Sequence, residues 1–300
     1  MTVTAEQRRQ LMLRISREII VGGDVGLVDE LFAADYLDHD PFPGLPADRE
    51  GFKGAVAALH RALPDLTVDV QLTLVDGDKV AYSLTSSGTH DGDFMGIPPT
   101  GRSVVTSAIE ILRIDDAGLA KERWQRFGAL QMLQQIGVVP GWEEPPPVPP
   151  MPEVRGAAPS SPEQNREVML RQLAIWNDGD DGVADEIFHP GAITPDAPQL
   201  PVGPDGVKQV ARVFRHAFPD FRMTVEDVLA EGEYVCCRFR QTGTHEGELF
   251  GVPPTGRSVD FGELAICRIV GGRIVASWFQ TDMLSLMGQL GVADAQPAPA

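Results

Sequence analysis

The sequence is short of cysteine and of basic charge, and it has no long apolar run. Three cysteines in 300 residues, an odd number without a Cys-x-x-Cys, make no disulfide framework. Cys236, Cys237 and Cys267 fall on strand-like segments and read as buried packing, with the adjacent pair on opposite faces. Lysine and arginine number 25 against 43 aspartates and glutamates, giving a net charge of −18. Both halves share the excess and neither carries a basic stripe, so neither nucleic acid nor an anionic membrane surface is an expected partner. No stretch of 18 apolar residues is present to span a bilayer. The first twenty residues are charged and amphipathic, without a signal-peptide core, which predicts a cytoplasmic protein. GxGxxG, the phosphate loop, Gly-x-Ser-x-Gly, His-x-His and His-Glu-x-x-His are all missing. Nucleotide, serine-hydrolase and zinc chemistry therefore have no motif to rest on.

What is present is a sentence written twice. Residues 88–104 read GTHDGDFMGIPPTGRSV and residues 243–259 read GTHEGELFGVPPTGRSV, identical at 12 of 17 positions. Ala62-Leu63-Pro64-Asp65 recurs as Ala217-Phe218-Pro219-Asp220 at the same offset of 155, which falls to 154 at Trp124 and Trp278. The lost residue belongs to the turn at Asp115–Gly118, matched by Gly271-Gly272. Length change confined to a turn is the mark of two folded copies. A period this long is a domain duplication and not a solenoid. Nine prolines between Pro140 and Pro162 mark the seam, because such a run continues neither helix nor ladder. The expected plan is domain 1 over 1–140, a linker over 141–162, domain 2 over 163–294 and a disordered tail over 295–300.

Each copy opens with helices. The apolar spacing predicts them at 5–21, 25–32 and from Glu50 in the first copy, and at 163–177, 183–188 and from Asp205 in the second. Alternating strands follow at 67–76, 80–86, 103–114 and 119–127, and at 224–230, 234–241, 258–270 and 274–280. Helices followed by an antiparallel meander predict an α+β fold, two tandem cones each made of a curved sheet wrapped on helix. Such a cone is a natural small-molecule pocket.

The string GTHxGxxxGxPPTGR, a strand ending Ile-x-x-x-Arg-Ile, then Trp-x-x-x-Asp and a closing Gln-x-Gly helix resemble the SnoaL-like polyketide cyclase family, a branch of the nuclear transport factor 2-like superfamily. The resemblance covers nearly all of each half. It implies an α+β cone that dimerises through the outer face of its sheet and needs no metal or organic cofactor. It implies intramolecular aldol ring closure on a small polyketide-like ligand, run by one acid/base carboxylate. A tandem copy could form the family's dimer within one chain, an intrachain pseudo-dimer with a further homodimer possible. The wider superfamily includes epoxide hydrolases and members without a known reaction, so fold alone does not fix function.

The resemblance matches the acid/base aspartate to Asp282, four residues after Trp278; the first copy has Gly128 there. The alternative for Asp282 is a helix cap. Glu110, opposite Ala265 of the second copy, is the other catalytic candidate, against an ion pair with Arg123 or Arg126. Expected ligand contacts are His39 and Asp40 of a segment that in the second copy reads Ala192-Ile193-Thr194-Pro195-Asp196 and has lost the histidine, Arg126, and the paired Trp124 and Trp278, against loop capping and plain core. His90 and His245, present in both copies, could contact ligand or serve the loop. Asp40, Glu110 and Arg126 could together open an epoxide if they converge. A non-catalytic binding module is the third reading, since each copy has shed different polar groups.

Overall fold

A capping box starts the chain's first helix. The Thr4 hydroxyl accepts from the Gln7 amide, and the Gln7 side chain accepts from the Thr4 amide. The computed structural model describes residues 3–140, 144–154 and 156–292; the expected tail lies outside them. The chain divides into one unit built on Met1–Trp142 and another on Glu143–Asp294.

In the first unit α1 (Ala5–Arg14) runs on as a π-helical segment, Ile15–Val21, which buries Ile15 and Ile19. Then come α2 (Val28–Leu31), β1 (Phe32–Asp38), α3 (Arg49–Ala62), β2 (Thr67–Asp76), β3 (Lys79–Thr89), β4 (Ser103–Ile114), β5 (Ala120–Phe127) and α4 (Ala129–Gln135). The second unit repeats the order with α5 (Pro162–Asn177), α6 (Asp181–Ile187), β6 (Phe188–Ile193), α7 (Pro204–Ala217), β7 (Arg222–Glu231), β8 (Tyr234–Thr244), β9 (Ser258–Val270), β10 (Arg273–Thr281) and α8 (Met283–Leu290). The sheets run β1-β5-β4-β3-β2 and β6-β10-β9-β8-β7. Each unit is thus α+β, and no helix among the described residues is long and apolar enough to cross a membrane.

One strand per unit departs from the sequence expectation. The second helix ends at Leu31 or Ile187, and the next residues, Phe32 and Phe188, turn extended to begin β1 and β6. These strands pair in parallel with β5 and β10, so each sheet is mixed. The segment FAADYLD has no alternation to betray it; a distant partner strand makes it a strand.

Register assigns the faces. Tyr82, Glu110 and Gln125 lie in one cross-strand row, flanked by the row of Val80, Leu112 and Arg123 and by that of Leu84, Ala108 and Phe127. Val80, Tyr82, Leu84, Ala108 and Leu112 belong to the core with Phe32, Phe52 and Val56. This is the inner face of the first sheet. In the second, Val235, Cys237 and Phe239 of β8 and Phe261, Ala265 and Cys267 of β9 pack with Phe214 of α7 and Phe218, which follows that helix. Their register neighbours Ser277, Phe279 and Thr281 of β10 share that face.

The repeated motif is a weld between elements. Asp65 and Asp220, after α3 and α7, each accept from the following copy of Thr89 or Thr244, backbone at 2.6 Å and hydroxyl at 2.8 Å. The glycine two residues past the histidine is needed for close approach: a Cβ on Gly92 would stand 1.8 Å from Arg61 O, and one on Gly247 2.2 Å from His216 O. Arg102 and Arg257 donate to the carbonyls of Gln135 and Gln289 at the last helix's C-terminal end, at 3.4 and 3.2 Å. The amides of Gln135 and Gln289 in turn bond the backbone of Val105 and Asp260. A unit built on this plan uses every one of these contacts, which is why both copies keep the words.

Candidate functional site

The inner face of the first unit holds a buried ionic cluster. Glu110 on β4 accepts at Oε2 from the Tyr82 hydroxyl at 2.7 Å and from Arg123 Nε at 2.9 Å. The same guanidinium reaches Asp38 Oδ2 at 3.0 Å and lies over the Phe52 ring. Arg123 cannot shed its charge, and one guanidinium serves both carboxyl groups. Glu110 therefore takes the ion pair that the sequence left open, with Arg123 and not Arg126 as partner. The Tyr36 hydroxyl is buried beside this cluster, near Arg123.

Alternation sends the other first-unit candidates elsewhere. Trp124 and Arg126 pair with Ile111 and Ile109, on the face opposite Glu110. His39 stacks on Trp124, with centroids 4.4 Å apart and planes at 7°, and its Nε2 meets Glu122 at 2.7 Å. Asp40 forms an ion pair with Arg126 and accepts from the Gln125 amide at 2.9 Å. The proposed epoxide-opening set does not converge: Glu110 and Arg126 project from opposite faces of one sheet. Asp38 and His39 also diverge, Asp38 to Arg123 and His39 to Glu122, so that run does not present its donors to one metal.

In the second unit Asp282 is the N-cap of α8, its Oδ1 accepting from the Ser285 amide at 3.0 Å. Trp278 pairs with Ile266, on the face turned away from Ala265 and Phe279, and lies near Tyr234. Neither tryptophan lines the inner face. His90 and His245 are fully buried and serve their loops: Nδ1 stands 3.0 Å from the Thr100 hydroxyl and 3.1 Å from that of Thr255. The Thr255 amide donates to His245 Nδ1, which puts the proton on Nε2. Burial lowers both histidine pKa values, and both Nε2 atoms are buried without a partner among the described residues.

Two carboxylates that the sequence reading passed over stand out. Glu263 lies on the inner face of β9, opposite Phe239 and Thr281. It accepts at Oε2 from Thr281 Oγ1 at 2.7 Å and from Gln241 Nε2 at 2.9 Å, both neutral groups. Burial raises its pKa above the ordinary value, and the two hydrogen bonds oppose that only in part. Its counterpart in the first unit is Ala108, just as the counterpart of Glu110 is Ala265. Asp196 is the second. It accepts from the Phe279 amide at 3.0 Å, as Asp40 does from Gln125. Gln280 replaces Arg126, and burial pushes the Asp196 carboxyl up to about 6. A signal for Glu263 exists in the sequence: a lone acid in the apolar run Leu264-Ala265-Ile266-Cys267, with the strand parity of Glu110.

The family comparison agrees with this twofold architecture. The model of the SnoaL-like polyketide cyclase family matches residues 10–136 and again 166–290, and the chain belongs to that family. No curated protein matches the chain. Among solved structures, TsrD from Streptomyces laurentii is 28% identical over 44% of this chain and 98% of its own, with a TM-score of 0.42. Wild-type IdmH from Streptomyces antibioticus is 31% identical over 43% of this chain and 99% of its own, with a TM-score of 0.39. A SnoaL-like polyketide cyclase from Agrobacterium tumefaciens is 19% identical over 42% of this chain and 98% of its own, with a TM-score of 0.38.

Proposed function

We infer that this chain is a cofactor-independent cyclase or isomerase that moves a proton on a small, largely apolar, polyketide-like ligand by means of a carboxylate. The observation that carries the reading is an acidic side chain buried on the inner, apolar face of a sheet with only neutral partners, Glu263. Desolvation of such a group moves its pKa toward neutrality, where a carboxylate is an effective base and its conjugate acid an effective donor. Pairing of the two units within one chain belongs to the same reading. Chemical cross-links joining the two units within one chain are its expected result, and cross-links found only between separate chains would contradict it.

The direct test uses the full chain and a β-keto ester carrying an apolar tail. Exchange of the proton between its carbonyl groups for deuterium, followed by proton NMR, reports enolisation without knowledge of the natural product. The expected result is exchange well above the buffer rate. Saturable binding of the probe with exchange at the buffer rate would instead favour a binding module. That second reading has its own support, since Asp282 is engaged in capping and Glu110 by Arg123.

A further inference from the structure

The two units each place one acid on the inner face of the long strand, one inward position apart, and treat it in opposite ways. In the first, Glu110 shares Arg123 with Asp38. In the second, the positions of Arg123, Asp38 and Tyr82 hold Ser277, Thr194 and Cys237. Arginine and both of its satellites are gone together. What remains is Glu263, anchored through one oxygen. Thr281 and Gln241 both donate to Oε2, and Oε1 has no partner among the described residues. Phe261 and Ala265 flank it along β9, and Phe239 faces it across the ladder. Its titratable neighbours are the thiols of Cys237 on β8 and Cys267 on β9, both raised by burial and hence neutral. No cation from any element stands against it among the described residues. A carboxyl fixed at one oxygen, desolvated, and free at the other has the geometry of an acid/base group.

This rests on the proton-transfer reading. We propose that Glu263 is the catalytic acid/base of the second unit, that Thr281 and Gln241 are its positioning residues, and that the first unit, with Glu110 bound by Arg123, carries out no proton transfer. The ligand it suits is a neutral carbonyl compound with an acidic C–H, because an anion beside an uncompensated carboxylate would be repelled. In the step, Oε1 of the carboxylate removes the proton from a carbon next to a carbonyl, and the C–H electron pair becomes the enolate. The enolate carbon bonds to a ketone carbon of the same ligand, and the carbonyl π pair moves onto that oxygen. The new alkoxide takes the proton back from Oε1. One C–C bond is made, the carboxylate is restored, and no other reactant is consumed.

The test compares variants of the full chain on the tailed β-keto ester. Glu263→Gln keeps the acceptor for Thr281 and Gln241, so it should fold and bind the probe within about threefold of the parent, while exchange falls by roughly 100-fold or more. Tyr82→Phe, in the first unit, should leave exchange unchanged. Thr281→Val removes a donor that stabilises the carboxylate; the rising limb of its pH–rate profile should move to higher pH, with kcat affected more than KM. The outcomes separate cleanly. Exchange retained in Glu263→Gln overturns the residue assignment and leaves the proton-transfer reading standing. Exchange lost in Glu110→Gln and kept in Glu263→Gln moves the chemistry to the first unit and overturns the proposal. No exchange by the parent chain defeats the proton-transfer reading itself and the role of Glu263 with it. A Thr281→Val profile that only scales down, without shifting, removes the positioning role.

Discussion

The first unit compensates its inner carboxylates and the second does not. Asp38 and Glu110 share Arg123, and Asp40 has Arg126. At the same places the second unit has Ser277 and Gln280 in place of the arginines, yet it keeps Asp196 and gains Glu263. A buried ion pair complete with its hydrogen bonds is chemically quiet. A buried carboxylate with neutral partners is strained in its charged form and therefore a better base. The duplication kept two copies of one scaffold, and serine at the place of Arg123 separates a locked interior from a reactive one.

The largest test of that contrast is the opposite sign expected from the same substitution. Glu110→Gln leaves Arg123 with Asp38 alone in a buried place, and should cost the first unit about 3 kcal/mol, low in the range for breaking a buried pair because one partner survives. Glu263→Gln removes a charge that burial disfavours, and should raise the second unit's resistance to urea above neutral pH. Equal destabilisation of both units would break the comparison.

Next in size is Asp196. A carboxyl whose folded-state pKa stands above its ordinary value favours folding only while protonated. Asp196 therefore withdraws stability as pH rises from 3.8 to about 6, with nothing further lost above. Allowing for its partial exposure, the loss is about 2 kcal/mol. Unfolding midpoints of parent and Asp196→Asn should coincide near pH 4 and separate above pH 6 in favour of the variant, roughly over that window. A parent–variant difference that does not change with pH would show that the carboxyl is not desolvated.

Smaller effects sharpen the picture at Asp282. As a helix cap, Asp282→Ala should cost about 1 kcal/mol of second-unit stability, whereas Asp282→Asn, an equally good cap, should cost almost nothing and leave deuterium exchange intact. Loss of exchange in Asp282→Asn at unchanged stability would restore it as a catalytic group. The smallest effect is at the turn Phe250-Gly251, where both residues have positive φ, 48° and 83°, as do Met95 and Gly96. Asparagine suits that first position far better than phenylalanine, so Phe250→Asn should stabilise by up to about 1 kcal/mol in a melting experiment. Destabilisation would mean that the Phe250 ring's contact with Phe214 outweighs the backbone term.

Much of the fold was legible because the chain states it twice. The offset between copies, the prolines at the seam and the alternation of Thr67–Asp76 or Ser258–Val270 carry the layout without a structure. The first strand of each sheet was not legible, since Phe32–Asp38 owes its extended form to pairing with β5, 80-odd residues away in sequence. The site was legible in kind and not in place. Glu110 and Glu263 occupy inward positions two residues apart in the aligned copies, so position-by-position matching sets each against an alanine and hides that they are the same device. Matching also gave Asp282 a role that the cap geometry accounts for. Which face a tryptophan takes depends on strand parity, and Trp124 and Trp278 lie on the face away from Glu110 and Glu263.

The central claim is that, among the described residues, the second unit alone keeps an inner carboxyl free of any cation. Infrared difference titration of the full chain, read against Glu263→Gln and Glu110→Gln, measures this directly. In an Asp196→Asn background, which removes the other raised carboxyl, a protonated-carboxyl band that persists above the ordinary glutamate value of 4.5, vanishes in Glu263→Gln and survives in Glu110→Gln is the result expected. A band that titrates with the exposed carboxyls, or one that disappears in Glu110→Gln instead, would contradict the account.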